Sequence, residues 1–362
     1  MKKKLKALIP ILTITSMIVG CSDDTTLKSD TTGTITPTDA PTSDASESSS
    51  TDESASSNAS STANSANSAS DASTSASTTD TSNESSTEDS EESITNYDSS
   101  LPTVVFLGDD QFDLGRSDNT SISDYVESLL ETNANVINLG CSGVTATTSL
   151  GTTNDTSMNF VNVAKFLNGQ MDDTFFNNFP DAKEEAFIFD PADVDFYVVE
   201  YGINDFLQVK DLSNEEIKTD TTCYTNAIET GLGLLVQASP NAKIVLCSPV
   251  YSMFYASDNS SLGSGNVYSN TFGSYMDYCA GCLQQGSLYD CISFDAFGSA
   301  MMNINDQNVS EYMEDDGKHL SRAGRNTFAA VVAHMINKQL GFDNTEIEVA
   351  YDIDDYKLDS EK

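Results

Sequence analysis

One histidine and one carboxylate lie at a spacing that could support acid–base chemistry. In Asp316-Gly317-Lys318-His319, the carboxylate precedes the histidine by three residues. At that spacing a carboxylate can accept the Nδ1–H of an imidazole, fix its tautomer and leave Nε2 to act as a base. The same segment could be a surface turn before a helix that starts at Ser321. The second histidine, His334, falls inside that helix, and we expect it to be structural.

Three more polar segments with glycine follow short apolar runs earlier in the chain. They are Gly108-Asp109-Asp110-Gln111-Phe112-Asp113, Asn138-Leu139-Gly140-Cys141-Ser142-Gly143-Val144-Thr145 and Glu200-Tyr201-Gly202-Ile203-Asn204-Asp205. Ligand sites of open α/β sheets form outside the carboxyl ends of the strands. We therefore expect all four segments to meet at one edge of a sheet.

The elements that must position these segments alternate between strands and helices. Apolar, β-branched runs predict strands over Thr103–Leu107, Asn135–Leu139, Val194–Glu200, Ala242–Cys247 and Cys291–Phe294. Helical spacing of apolar residues and chain punctuation predict helices over Ser121–Leu130, Cys223–Val236, Phe272–Leu283 and Ser321–Leu340. The alternation predicts one α/β domain of three α/β/α layers with a mostly parallel five-stranded sheet.

Composition excludes several classes of function. The chain has 362 residues, a formal net charge of −39 and two histidines. A nucleic-acid-binding protein needs a basic footprint, so we expect no nucleic-acid partner. Two histidines leave no room for a three-histidine metal centre. We expect no metal and no cofactor.

Together, the four segments resemble the blocks of the SGNH (GDSL-like) hydrolase superfamily, in its order and spacing, from Val104 to Leu340. The family blocks read Gly-Asp-Ser, a central glycine, Gly-x-Asn-Asp and Asp-x-x-His. The resemblance implies a flavodoxin-like fold and ester or acyl hydrolysis. By the same resemblance Gly143 and Asn204 donate to the oxyanion of a tetrahedral intermediate, His319 is the base and Asp316 orients it.

The first block departs from the family pattern, because Asp110 stands where the family has its nucleophilic serine. A carboxylate is a weaker nucleophile and places a negative charge beside donors arranged for an oxyanion. We expect Asp110 to fold into the oxyanion hole or to pair with His319 and raise its pKa. Two serines, Ser142 and Ser117, are weak candidates for a substitute nucleophile.

Three interpretations of this site stay open at the level of sequence. The first is an impaired hydrolase relative that still binds an ester or acetylated-carbohydrate ligand. The second is an active hydrolase in which Asp110, or a water held by Asp110 and His319, attacks the substrate. The third is a non-catalytic interaction module at the cell surface that uses another face.

The N-terminal hundred residues indicate export and anchoring. Four lysines precede a short apolar run that ends at Cys21, a pattern that resembles the lipobox of bacterial lipoproteins. We predict a signal peptide over residues 1–20, a lipid on Cys21 that anchors the chain to the outer face of the cytoplasmic membrane, and a disordered tether up to residue 100. That tether is rich in serine and threonine, with 41 of them among residues 22–100.

The domain is expected to span residues 101–341, followed by an acidic tail over residues 342–362. The tail could add an edge strand through Ile347-Glu348-Val349 or be solvated. Six further cysteines could form disulfides in an exported chain, or they could be buried thiols. We expect Cys279-Ala280-Gly281-Cys282 to be structural, because neither a thioredoxin-like site nor a second CxxC accompanies it. Near predicted strand ends lie aromatic residues that could stack on a sugar or belong to the core: Phe112, Tyr201, Phe206, Tyr251 and Phe254.

Overall fold

The computed structural model describes residues 97–151 and 154–358. The predicted signal peptide, Cys21 and nearly all of the tether lie outside the described residues. No helix in the described ranges has the length and apolar character needed to cross a membrane.

A five-stranded, wholly parallel sheet forms the centre of the fold. The strands of the described chain, in order, are β1 (Thr103–Gly108), β2 (Asn135–Asn138), β3 (Phe196–Glu200), β4 (Lys243–Cys247), β5 (Met253–Tyr255), β6 (Ser261–Ser264), β7 (Ser269–Asn270), β8 (Gly273–Ser274) and β9 (Ile292–Phe294). In the central sheet the order is β2-β1-β3-β4-β9, with every neighbouring pair parallel. This is the flavodoxin-like order, and the predicted fold class is confirmed.

Helices cover both faces of the sheet because alternate strand residues point to opposite sides. They are α1 (Asp110–Asp113), α2 (Ile122–Leu129), α3 (Phe160–Leu167), α4 (Pro180–Glu185), α5 (Ile203–Leu207), α6 (Tyr224–Ala238), α7 (Tyr275–Gly286), α8 (Val309–Tyr312) and α9 (Arg322–Leu340). Val105, Leu107 and Val199 belong to a core with α3, α6 and α7. Phe106 and Val198 belong to a second core with α2 and α9.

Most predicted elements form within a few residues of their expected ends. The closing helix α9 begins after Ser321, whose side chain accepts from the N–H of Gly324, and ends at Gly341 with φ +83°. The helix predicted from Phe272 instead begins at Tyr275. Ser274 caps it in a capping box with Asp277, and the short strands β7 and β8 occupy the residues before it.

The C-terminal segment packs on the domain through an isolated bridge rather than through an added edge strand. Tyr351 pairs in parallel with Met302, and the N–H of Asn303 donates to the carbonyl of Tyr351 at 2.8 Å. The side chain of Ile353 is buried and its N–H donates to the hydroxyl of Tyr312. Residues 347–349 form no strand.

All six cysteines in the described ranges are free thiols, and five of them are buried. Cys279 and Cys282 lie on α7, where their Sγ atoms contact the carbonyls of Pro249 and Cys247. Burial raises the pKa of both thiols, so each is held as an unreactive neutral group.

Candidate active site

The carboxyl ends of β1 and β3 lie side by side and place two of the four segments together. Gly108 pairs with Glu200 at the last register position of these strands. A Cβ on Gly108 would lie 2.4 Å from the ring of Phe112 and 2.8 Å from the carbonyl of Glu200, so this close approach requires glycine. Helix α1 starts immediately afterwards, and its first residue is Asp110.

The carboxylate of Asp110 accepts hydrogen bonds from two donors. The N–H of Gly143 lies 3.1 Å from each of its oxygens, and Nδ2 of Asn204 lies 2.5 Å from Oδ2. Gly143 has φ +77°, a left-handed conformation that favours glycine, and no atom would crowd a Cβ there. The two donors converge on one carboxylate, as oxyanion-hole donors converge on one oxygen.

The loop before α9 brings a histidine to the same carboxylate. Nε2 of His319 lies 3.6 Å from Oδ1 of Asp110, a long ion-pair distance. On its other side, Nδ1 of His319 lies 2.5 Å from Oδ2 of Asp316. The other oxygen of Asp316 accepts from the N–H groups of Lys318 and His319, which fixes the carboxylate on its own loop. The predicted orientation of the imidazole by Asp316 is therefore present in the geometry.

Charge at this site favours an ion pair. Partial burial pushes the pKa of Asp110 upward, but the contact with His319 and the hydrogen bonds from Asn204 and Gly143 outweigh it and hold the pKa at about 2. Asp110 in turn raises the pKa of His319 against the opposing effect of burial, and Asp316 adds to the rise. A general base must be unprotonated to take a proton, and this pairing favours the protonated imidazole.

Gln111, which no sequence motif indicated, hydrogen-bonds to the backbone of the loop that carries His319. Its Nε2 donates to the carbonyl of Lys318 at 2.7 Å, and its Oε1 accepts from the N–H of Leu320 at 3.1 Å. These two bonds bracket His319 in the chain. Gln111 is buried at 2 % exposure, so both bonds are shielded from water.

Asp205 braces the glycine loop on the opposite side of the site. It is fully buried, and its two oxygens accept from the N–H groups of Ala146 and Thr147 at 2.8 and 3.1 Å. Helix α5 therefore supplies Asn204 to the carboxylate of Asp110 and Asp205 to the loop of Gly143. Gly202 permits this turn, because a Cβ would lie 2.5 Å from the hydroxyl of Tyr224 at φ +143°.

Directly behind Asp110 lies a pair of buried carboxyl groups. Asp109 and Glu200 are both fully buried, and both Glu200 oxygens and Oδ2 of Asp109 have no donor partner among the described residues. Burial raises the pKa of Asp109 well above its ordinary value, with nearby Glu200 and Asp110 adding to the rise. Burial likewise raises the pKa of Glu200 to about 8. The pair therefore holds at least one proton at neutral pH.

The two alternative serines do not take the place of a nucleophile. Ser142 donates from Oγ to Asp113 at 2.6 Å. Ser117 is exposed on the turn Arg116–Asp118. Neither has a hydrogen bond to His319 in the described ranges. His334 lies on α9, and its Nδ1 is 3.1 Å from a carboxylate oxygen of Asp343 rather than from a residue of the site.

Within residues 97–151 and 154–358, no group of three or more His, Cys, Asp or Glu side chains is placed to hold a metal ion. The five aromatics considered for sugar stacking are all buried in the core, with exposures of 0 to 2 %.

Comparison with known proteins finds similarity among solved structures. No family model matches the sequence, and no curated protein matches it significantly. A protein from Lactobacillus plantarum is 20 % identical with a TM-score of 0.43, covering 67 % of this chain and 97 % of that one. A lipase/acylhydrolase from Enterococcus faecalis is 14 % identical with a TM-score of 0.40, covering 66 % and 97 %. A carbohydrate acetylesterase family member from Sinorhizobium meliloti is 16 % identical with a TM-score of 0.40, covering 67 % and 100 %.

The structure brings Asp110, Gly143, Asn204, Asp316 and His319 together at one edge of the sheet. Asp110 is the residue that Gly143, Asn204 and His319 all contact.

Proposed function

We propose that this is an SGNH-type esterase domain whose hydrolysis is impaired by its own Asp110. The observation that carries the proposal is the pair of hydrogen bonds from Gly143 and Asn204 to the Asp110 carboxylate. Those two groups are the donors that would stabilise a tetrahedral oxyanion. Because both donors already bind the Asp110 carboxylate, they are occupied before any substrate arrives.

The charge of the site opposes catalysis in two further ways. A carboxylate with a pKa of about 2 is a weak base and hence a weak nucleophile. Its attack on an ester would form an anhydride, and the hydrogen bonds that hold the carboxylate would first have to break. Asp110 raises the pKa of His319, which favours the protonated imidazole and makes it a poorer general base.

The ligand that fits this proposal is an acyl ester or an acetylated carbohydrate. The wider setting belongs to the same proposal: export, cleavage before Cys21, and a lipid on that cysteine that ties the domain to the outer face of the membrane. The sequence pattern of residues 1–21 supports this setting.

The test compares the full native chain with Asp110→Ser and Asp110→Asn on 4-nitrophenyl acetate and on an acetylated xylose. Serine restores a nucleophile that His319 can activate, whereas asparagine removes the charge without supplying one. We expect Asp110→Ser to exceed the native chain by about 10³-fold in kcat/KM, and Asp110→Asn to show no such gain.

Two results would overturn the proposal. Turnover by the native chain that is lost in both Asp110→Asn and His319→Ala would show that the carboxylate itself works as the nucleophile or holds the attacking water. A folded Asp110→Ser variant with no activity on either ester would remove the esterase assignment and favour an interaction module.

A further inference from the structure

A small cavity opens beside the partner of the active-site histidine. Its volume is about 290 Å³, and its wall includes Asp316, the residue that holds Nδ1 of His319. The hairpin of β5 and β6, the end of α5 and the loop before His319 surround it. None of the sequence motifs pointed to this cavity.

The hairpin that lines the cavity is in direct contact with the loop that precedes His319. The N–H of Met253 donates to the carbonyl of Gly317 at 2.8 Å. Gly317 has φ +72°, and a Cβ there would lie 2.6 Å from the carbonyl of Met253 and 2.6 Å from the ring of Tyr255. The glycine thus lets the loop carrying Asp316 lie flat on Tyr255.

Aromatic rings form the apolar part of the lining. Tyr255 is 41 % exposed. Tyr268 is half-buried, and its ring stacks on Phe254 at 4.8 Å with an interplanar angle of 28°. Leu207 and Leu262 are both exposed at the edge of the same cavity. These surfaces suit a flat ligand with an apolar face.

Hydrogen-bonding groups form the rest of the lining. Asn259, Asp315 and Lys318 lie among the aromatic residues. Within the described part of the chain, no hydrogen bond engages the side chain of Asn259 or Asp315. An alkyl chain here would strip water from these groups without replacing its hydrogen bonds, which costs free energy. A sugar ring carries both an apolar C–H face and hydroxyl groups, and so it satisfies both parts of the lining.

We propose that this cavity binds one sugar ring of an acylated carbohydrate, with Tyr255 and Tyr268 against its apolar face and Asn259 and Asp315 toward its hydroxyls. The inference rests on the proposed function, since it names the substrate class of that same site. A volume of about 290 Å³ lies at the lower limit of drug-sized sites, about 300–1,000 Å³, which fits a single ring.

The experiment measures binding to the full native chain by saturation-transfer NMR. The probe is methyl 6-O-acetyl-glucopyranoside, and hexyl acetate is the matched ester that lacks a sugar ring. We expect the glucoside to bind more tightly, with saturation strongest on its ring C–H protons. Tyr255→Ala and Tyr268→Ala should each weaken binding about tenfold.

Three variants separate stacking from general damage. Tyr255→Phe keeps the ring and should retain most of the affinity. Asn259→Gly suits the φ of +62° at that position and should weaken binding through the lost amide, even where an aromatic variant fails to fold. Phe342→Ala removes a 55 % exposed aromatic ring from the C-terminal segment and should leave binding unchanged.

The inference is overturned if the glucoside binds no better than hexyl acetate, or if the folded Tyr255→Ala, Tyr268→Ala and Asn259→Gly variants bind it as tightly as the native chain. Failure of the proposed function would be seen in the esterase assay and not in the binding measurements. An Asp110→Ser variant without esterase activity would remove that function and leave the binding measurements to decide the sugar site.

Discussion

Two adjacent aspartates in this chain have pKa values that are shifted in opposite directions. Asp110 lies at the edge of the sheet with donors from Gly143, Asn204 and His319 around it, and its pKa falls to about 2. Asp109 lies one residue earlier, fully buried against Glu200, and its pKa rises well above the ordinary value. Backbone position separates them by one peptide, yet one carboxyl is held charged and the other is held protonated or shares a proton.

The difference shows that donors, more than burial alone, decide the state of a carboxyl group. Asp110 is also largely buried, at 15 % side-chain exposure, but its oxygens meet polar hydrogens. Asp109 accepts one backbone N–H, from Gln111, and has the carboxyl of Glu200 beside it. Burial without donors favours the neutral form, and burial with donors favours the anion.

The largest effect on kcat/KM should come from variants of Asn204 and His319 made on the Asp110→Ser background. These are residues that contact Asp110 in the native chain. On the Asp110→Ser background we expect Asn204→Ala to lower kcat/KM by about 10²–10³-fold, because one oxyanion donor is lost. His319→Ala should return activity to the native level. The measurement is ester hydrolysis, with His334→Gln as the control that removes the other histidine. Full activity in Asp110→Ser/His319→Ala would contradict the account.

The buried pair of Asp109 and Glu200 should make the stability of the fold depend on pH. Glu200→Gln should weaken that pH dependence. A carboxyl whose pKa rises from 4.5 to about 8 on folding keeps its proton only in the folded state across that range. The free energy of unfolding therefore falls as pH rises from 4.5 to about 8, because only the folded state holds this proton across that range. Urea unfolding between pH 4.5 and 8.5 measures it.

In Glu200→Gln this fall should flatten, whereas Glu348→Gln, at an exposed position, should follow the native curve. A native curve and a Glu200→Gln curve that run parallel across this range would show that the carboxyl is ionised in the folded chain.

Removing the support beneath His319 should have a smaller effect. Gln111→Met keeps the length of the side chain and deletes both bonds to the backbone around His319. On the Asp110→Ser background we expect kcat to fall about tenfold with little change in KM, since a positioning group is lost. Gln284→Met, at an exposed position on α7, is the control. An unchanged kcat would show that the clamp does not position His319.

The smallest effect should be on the histidine itself. Asp110→Asn removes the carboxylate whose side-chain hydrogen bond contributes most to raising the pKa of His319, so that pKa should fall. Asp316 keeps part of the effect. NMR titration of the imidazole protons measures the change, and Asp343→Asn, which acts beside His334, should leave His319 unaltered. A pKa that stays in place would show that Asp110 is not its main partner.

A feature can be predicted from this sequence when it depends on residues that are close together in the chain. The β1, β3 and β4 strands are continuous apolar runs, and the blocks that follow them have fixed spacing, so the sheet and the meeting of Asp110 with His319 were predictable. Helix α3 was not, because its residues Phe160–Leu167 are buried nearly all round and only Asn162 and Lys165 among them are polar.

Tertiary contacts account for the rest. Gln111 meets Lys318 and Leu320 only because α1 and the loop before α9 fold together, and nothing in the residues near Gln111 indicates it. Tyr255 and Tyr268 were missed for the same reason. Five other aromatics near strand ends seemed equally suited to a sugar, and the packing buries all of them.

The most direct test of the central claim is the titration of the Asp110 carboxyl by carbon-13 NMR in the native chain. We expect its carbon shift to stay constant from pH 6 down to pH 4, since the pKa lies at about 2. The amide signal of Gly143 should show no step in that range either. A midpoint at or above the ordinary 3.8, in both signals, would show that the two donors do not hold the carboxylate and would contradict the account.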